Sequence, residues 1–301
     1  MKVLQDDLPH EQAAQGEQVK GFPLALPQRG WRRWAKFSLG AIMLRLHSDL
    51  VTRFEAGLPP RNRLEQLALA VLAIRYREAG CFNRLARQHH EFWLRGPCDF
   101  VYDATGPRLE KQLFNGPHRI ALDRLEAELE QGSFHTVCEI GCGNGAVLAY
   151  LADRLPAVDR FIGLDLNAAQ IARNQVQHAA DTRLEFSACD AIDWITHHAG
   201  PNMAFYTYGG VFEYFTQSQL EGMLLTLAMH TPTCIALVEP VSFDHDFEAD
   251  STSQPHGREL SYSHAYPALL AKAGFQGIWQ AESADAKSRW MMLLARPPPP
   301  A

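Results

Sequence analysis

Apolar positions recur at helical spacing through the first third of the chain. From about residue 133 onward they condense into short runs that alternate with helical stretches. Over 34–55, Leu39, Ile42, Met43, Leu46, Leu50 and Phe54 follow one helical repeat, which Gly57 and Pro59-Pro60 end. Leu64, Leu67, Ala68, Val71 and Ile74 predict a second helix closing near Gly80. Phe82, Leu85, Ala86, His89 and Phe92 predict a third, broken by Gly96-Pro97. Thr105 is placed to cap a short helix beginning at Pro107, and Gly116-Pro117 precede a last helix ending near Gln131. Beyond it, strands are expected at 136–140, 160–165, 184–188, 202–208 and 233–239, with helices over 146–155, 167–180 and 216–229. A long loop over 240–259 leads to a helix over 262–273, and 277–280 can pair with 288–295 as a hairpin. Such alternation implies an α/β fold with a parallel sheet and right-handed crossovers.

Composition adds a division into modules. The 301 residues can hold one large domain or two modest ones. Three segments are expected: a mobile arm over 1–28, an all-α module over 29–130 and an α/β domain over 131–301. The net charge of −6 is unevenly spread. Residues 29–125 hold 17 Lys/Arg against 9 Asp/Glu, a balance of +8, whereas residues 126–301 hold 9 against 21, a balance of −12. An acidic α/β half argues against a nucleic-acid partner. No apolar run reaches membrane-spanning length, and the polar N-terminus has no signal-peptide pattern. The stretch Gly30-Trp31-Arg32-Arg33-Trp34-Ala35-Lys36-Phe37 interleaves aromatics with bases. It reads as the start of an amphipathic helix whose tryptophans pack, in preference to a membrane or nucleic-acid patch. The six cysteines fall mostly in predicted strands or apolar helices, without zinc spacing, as expected of reduced thiols in a cytoplasmic protein.

The chemistry centres on Thr136-Val137-Cys138-Glu139-Ile140-Gly141-Cys142-Gly143-Asn144-Gly145-Ala146. A buried strand, a glycine-rich turn and a helix start form a nucleotide cradle, because glycines let the backbone approach and the helix start offers free N–H groups. Two ligand classes use such a turn. Gly141-x-Gly143-x-x-Ala146 satisfies a loose dinucleotide fingerprint. Glu139, two positions before the first glycine, suits instead a ligand with an ammonium group and no pyrophosphate, such as S-adenosylmethionine. Asp165 ends the second strand and can accept from ribose hydroxyls in either class. Asp190 follows the third strand.

This stretch closely resembles the first motif of the class I S-adenosylmethionine-dependent methyltransferases, and the resemblance extends over roughly residues 130–296. It implies a seven-stranded Rossmann-like methyltransferase sheet, mostly parallel with one antiparallel edge strand; the helical module before it, which the resemblance does not cover, is read as an α-helical N-terminal cap. It implies S-adenosyl-L-methionine as cofactor and S-adenosyl-L-homocysteine as product. By the same resemblance Asp190 accepts from the adenine amino group and the Ala191 N–H reaches the ring. The implied cofactor-binding set is Glu139, Gly141, Cys142, Gly143, Asn144, Gly145, Asp165, Leu166, Asp190, Ala191 and Tyr208, to which Tyr102, just before the resembling stretch, is added from its position. The rival readings are an S-adenosylmethionine-fold protein that binds without catalysis and an NAD-dependent oxidoreductase.

The expected acceptor is a small molecule, because Tyr206-Thr207-Tyr208-Gly209-Gly210 at the end of strand four lacks the Asn/Asp-Pro-Pro-aromatic signature of relatives that methylate DNA bases or protein amides. Strand four also offers no metal-ligating carboxylate of the kind catechol-type relatives use, so no metal is expected. Tyr208, Glu213, His245 and His264 are the candidate catalytic groups, should the acceptor need a general base. Trp93, Phe100 and Tyr102 are expected to line the acceptor site, with Tyr102 nearest the cofactor. No nucleic-acid or membrane partner is expected, and a homodimer is left open.

Overall fold

The computed structural model describes residues 31–58, 60–95, 106–257, 260–286 and 288–298. The arm over 1–28, the Thr105 cap, and Phe100 and Tyr102 therefore lie outside the described residues. Among them no helix is long and apolar enough to cross a membrane.

The first module is helical: α1 (Trp31–Leu46), α2 (Asp49–Glu55), α3 (Arg63–Glu78) and α4 (Phe82–Arg95). Asn62 caps α3 by accepting from the N–H groups of Leu64 and Glu65. The single helix expected over 34–55 is instead two. A straight continuation would put Leu50 and Phe54 roughly 100° around the axis from the face that Gly40 and Leu44 turn to the core. The break at His47-Ser48 brings both faces inward, and Leu50 and Phe54 are buried. Phe54, Leu69, Leu72, Tyr76 and Leu85 form the module's own core, which also takes in Leu260 from the other half of the chain. A π-helical segment, α5 (Leu109–Phe114), and α6 (Arg119–Gln131) lead into the sheet.

The strands are β1 (Thr136–Ile140), β2 (Arg160–Asp165), β3 (Leu184–Ala188), β4 (Met203–Tyr208), β5 (Thr233–Val241), β8 (Gln276–Ala284) and β9 (Arg289–Arg296). They form one sheet in the order β3-β2-β1-β4-β5-β9-β8. The first five are parallel; β9 runs antiparallel between β5 and the edge strand β8. Alternation along each strand splits the core in two. Val137, Ala204 and Val238 face α6, α7 (Ala146–Arg154) and α8 (Ala168–Gln177), whereas Cys138, Phe205 and Leu237 face α9 (Ala191–His198), α10 (Gln217–Ala228) and α11 (Tyr266–Lys272).

Two departures from the sequence expectation bear on the site. Helix α9 was not expected, yet the crossover from β3 to β4 needs an element of this kind. Asp190 starts it by accepting from the N–H groups of Ile192 and Asp193. Residues 262–263 were expected to be helical but belong to β7 (Ser261–Ser263), antiparallel to β6 (Gln254–His256). The helix begins only at Tyr266, where Pro267 stands in its first turn and fits a position with no N–H to satisfy.

Candidate functional site

A cavity of about 610 Å3 opens at the carboxyl ends of β1, β2 and β4. Glu139, Gly141, Cys142, Gly143, Asn144, Asp165, Leu166, Asp190, Ala191 and Tyr208 all line it. Gly145 stands just behind, as the left-handed residue before α7.

The turn is built for close approach. Gly141 has φ 71°, and a Cβ there would fall 2.5 Å from Val211 Cγ2. Gly143 donates its N–H to Asp165 Oδ2 at 3.0 Å, and Asn167 donates to Oδ1 at 2.9 Å. The carboxylate is thus aimed across the mouth of the turn. Asn174, fully buried on α8, donates from Nδ2 to the Gly143 carbonyl at 2.7 Å and is itself held by Gln170 Nε2. Asn174 is a support that the sequence reading passed over; its only signal was a second polar residue, one turn after Gln170, on the helix face that carries Ile171.

Glu139 is buried, and its Oε2 has no hydrogen-bond partner. Burial first, then the charge of Asp165, pushes its carboxyl well above the usual carboxylate range. A buried carboxylate with one oxygen unpartnered at a cavity wall fits a cationic ligand group. Together with a turn into which no Cβ fits, it matches the ammonium and backbone of S-adenosylmethionine.

Asp190 is engaged on both oxygens. Oδ1 caps α9, while Oδ2 lies 3.2 Å from His90 Nε2 of α4, and that contact is the first cause holding its pKa below the ordinary value. The helix-cap role and the cavity-lining role therefore belong to one residue. His90 brings the helical module to the cavity, where Asn83, Arg87, Glu91 and Trp93 of α4 join it. The signal for these was the α4 spacing 83, 86–87, 90, 93, which is one helical face. Trp93 and His89 pack on Tyr214 with ring centres 5.5 and 5.2 Å apart.

Tyr208 is nearly buried, and its hydroxyl lies 3.2 Å from His118 Nδ1. Burial, then the Arg108 charge, lowers the His118 pKa to about 4, so the ring is neutral at neutral pH. Arg108 covers Tyr208 and Trp290, 6.0 and 5.7 Å from the ring centres, and donates from Nη2 to the Gly209 carbonyl at 3.0 Å.

The other catalytic candidates are not brought to the cavity. Glu213 accepts from Ser261 Oγ at 2.5 Å and does not line it. His245 is buried between Ser263 Oγ (2.9 Å) and the Asp250 carbonyl (3.0 Å). His264 is buried between Ser253 Oγ (2.6 Å) and the Phe212 carbonyl (3.0 Å), and burial drives its pKa to about 3. Both histidines pin the 242–264 region in place. A carboxylate outside the candidate set, Glu239, organises the loop after β4. It accepts from Thr207 Oγ1 at 2.9 Å and from the N–H groups of Val211 and Phe212 at 3.0 and 3.1 Å. Burial raises its pKa to about 8.

Residues 137–231 match a family described as methyltransferase domain. That segment, with the glycine turn and the strands β1 to β4, is a methyltransferase domain. No curated protein sequence matches the chain. Among solved structures it is similar to the N-methyltransferase NodS from Bradyrhizobium japonicum WM9 in complex with S-adenosyl-L-homocysteine, with 15% identity, 71% of this chain and 99% of that chain covered, and a TM-score of 0.46. It is also similar to the magnesium protoporphyrin IX methyltransferase ChlM from Synechocystis PCC 6803 with bound S-adenosylmethionine, with 17% identity, 76% and 97% covered, and a TM-score of 0.45.

Proposed function

We propose that the chain methylates a small molecule held between the β-strand ends and helix α4. The observation that carries this reading is that one cavity has two unlike walls. One wall is the glycine turn with Glu139, Asp165 and Asp190; the other is Arg87, His90, Glu91 and Trp93 of the helical module, which would serve as a cap. When bound, S-adenosylmethionine supplies a methyl group on a sulfonium, an already activated leaving group. Glu139 would face the amino-acid ammonium, Asp165 the ribose hydroxyls, and Asp190 with the Ala191 N–H the adenine.

The chain's remaining task is to align an acceptor and exclude water, and alignment alone supplies roughly 7–11 kcal/mol in favourable cases. Trp93, Tyr214 and Tyr208 offer aromatic walls for that acceptor. If the acceptor is a hydroxyl, Tyr208 is the candidate at the cavity; burial keeps it a neutral phenol, so it would take the acceptor's proton while passing its own to the neutral His118 beside it. A cavity overhung by α4, on an acidic domain, suits a small acceptor better than a nucleic acid. The buried thiols Cys138, Cys142 and Cys234 support a reducing compartment such as the cytoplasm. The test is transfer of labelled methyl from S-adenosylmethionine into small-molecule, protein and nucleic-acid fractions of an extract. Label in the small-molecule fraction is expected. Label confined to a macromolecular fraction overturns the acceptor class, and donor binding without any transfer favours a non-catalytic role.

A further inference from the structure

Helix α1 is apolar on two opposite faces. Its inner face meets α3: a Cβ on Gly40 would fall within 2.7 Å of Val71 Cγ2, and Phe37 lies under the Arg75 guanidinium. The outer face was expected to pack its tryptophans, yet Trp31 and Trp34 are 76% and 78% exposed. Leu39, Ile42 and Leu46 are exposed as well. At about 100° per residue these five side chains fall within about 140° of the helix circumference, opposite Gly40 and Leu44. They form an apolar stripe along a helix of 16 residues, with Ser38 and Arg45 inside its arc.

The charge around the stripe names its partner. Residues 29–48 carry five Lys/Arg and no Asp or Glu. Lys36 is exposed beside the stripe, and the exposed Arg45 projects from within it. Tryptophans at one end, branched and unbranched aliphatics along the middle and bases at the flanks suit a helix lying flat in a lipid interface: rings at headgroup depth, aliphatics in the acyl boundary, cations on anionic headgroups. We propose that the outer face of α1 is a docking surface for an anionic lipid bilayer, on which the protein sits peripherally. The proposal is independent of the donor site, since α1 contributes no residue to the cavity.

The test uses the full-length protein with vesicles of phosphatidylcholine alone and of phosphatidylcholine with phosphatidylglycerol, separated by flotation. The protein is expected to float with the anionic vesicles, to float about tenfold less with the neutral ones, and to be released by raised salt. Trp31→Ala with Trp34→Ala, and separately Lys36→Glu with Arg45→Glu, should each weaken flotation about tenfold. These sites are exposed, so circular dichroism and the melting curve should match the parent. Leu46→Asp is an independent third probe should either pair disturb folding. Flotation that is absent with anionic vesicles, or unchanged by all three variants, overturns the proposal. A concentration-dependent dimer that the tryptophan pair abolishes, without vesicle binding, assigns the stripe to a second copy and overturns it too.

Discussion

In the proposed reading, Glu139 holds the charge on which the donor site turns. Its carboxyl is buried, lacks a partner on Oε2 and is pushed up by burial. Glu139→Gln keeps the shape and removes the charge. We predict at least a tenfold loss of affinity for S-adenosylhomocysteine by calorimetry, with an unchanged or higher melting temperature for the free protein, because a buried lone carboxylate is costly. An affinity within twofold of the parent would show that the ammonium is held elsewhere. Asp165→Ala removes the acceptor for Gly143 N–H and, in the proposed reading, for the ribose hydroxyls. A hydrogen bond to a charged group contributes on the order of 1.5–3 kcal/mol, so a loss of tenfold or more is expected. A smaller loss would place the ribose away from this carboxylate.

These residues were legible in the sequence because each stands at a strand end, where the turn that follows fixes its direction. The catalytic candidates were less legible. Glu213, His245 and His264 are polar residues near the right strands, but whether such a side chain faces a cavity or a packed loop depends on tertiary partners. Here the partners are Ser261, Ser263, Ser253 and the Phe212 carbonyl, which no local pattern announces.

At the scale of elements, the loop after β4 depends on β5. Glu239 accepts from Val211 and Phe212 N–H and from Thr207. Glu239→Ala strands those donors at roughly 1–3 kcal/mol for each buried group left unsatisfied. Its loop faces the acceptor side, so turnover is expected to fall more than donor affinity. The reverse pattern in steady-state kinetics would contradict that placement. The sign of its pH effect follows from a folded pKa raised to about 8. The stabilising contribution is complete below the unfolded value near 4.3 and is lost as pH rises towards 8. Glu239→Gln should flatten that part of the melting-temperature profile between pH 5 and 8; an unchanged slope would contradict it.

The strands were legible from their apolar runs, and β1, β2 and β3 fall at their expected bounds. Helix α9 was missed because Ala191–His198 is short, with a stop–start apolar pattern. The helix over 262–273 was overextended because the tyrosines at 262 and 266 keep a helical interval, although residues 261–263 pair with β6.

For the whole molecule, the account joins a helical module to an α/β domain across one cavity. The uneven charge pointed to two modules in the sequence. It did not reveal where they meet, because α4 docks through rings, with Trp93 and His89 on Tyr214 and Phe82 on Tyr262. If α4 walls the acceptor site, Trp93→Ala should raise the acceptor KM or change the acceptor range at least tenfold while leaving donor affinity within about threefold. Unchanged kinetics with every acceptor tested would leave the helical module a stabilising addition.

The central claim is that the cavity of Glu139, Asp165 and Asp190 holds S-adenosylmethionine. The most direct measurement is calorimetric titration of the full-length protein with S-adenosylhomocysteine, with NAD as comparison and a parallel melting curve. The account predicts one site per chain, a melting temperature that climbs with ligand concentration by mass action, and no heat with NAD. A folded sample that gives no heat and no shift at millimolar S-adenosylhomocysteine, or that binds NAD instead, would contradict it.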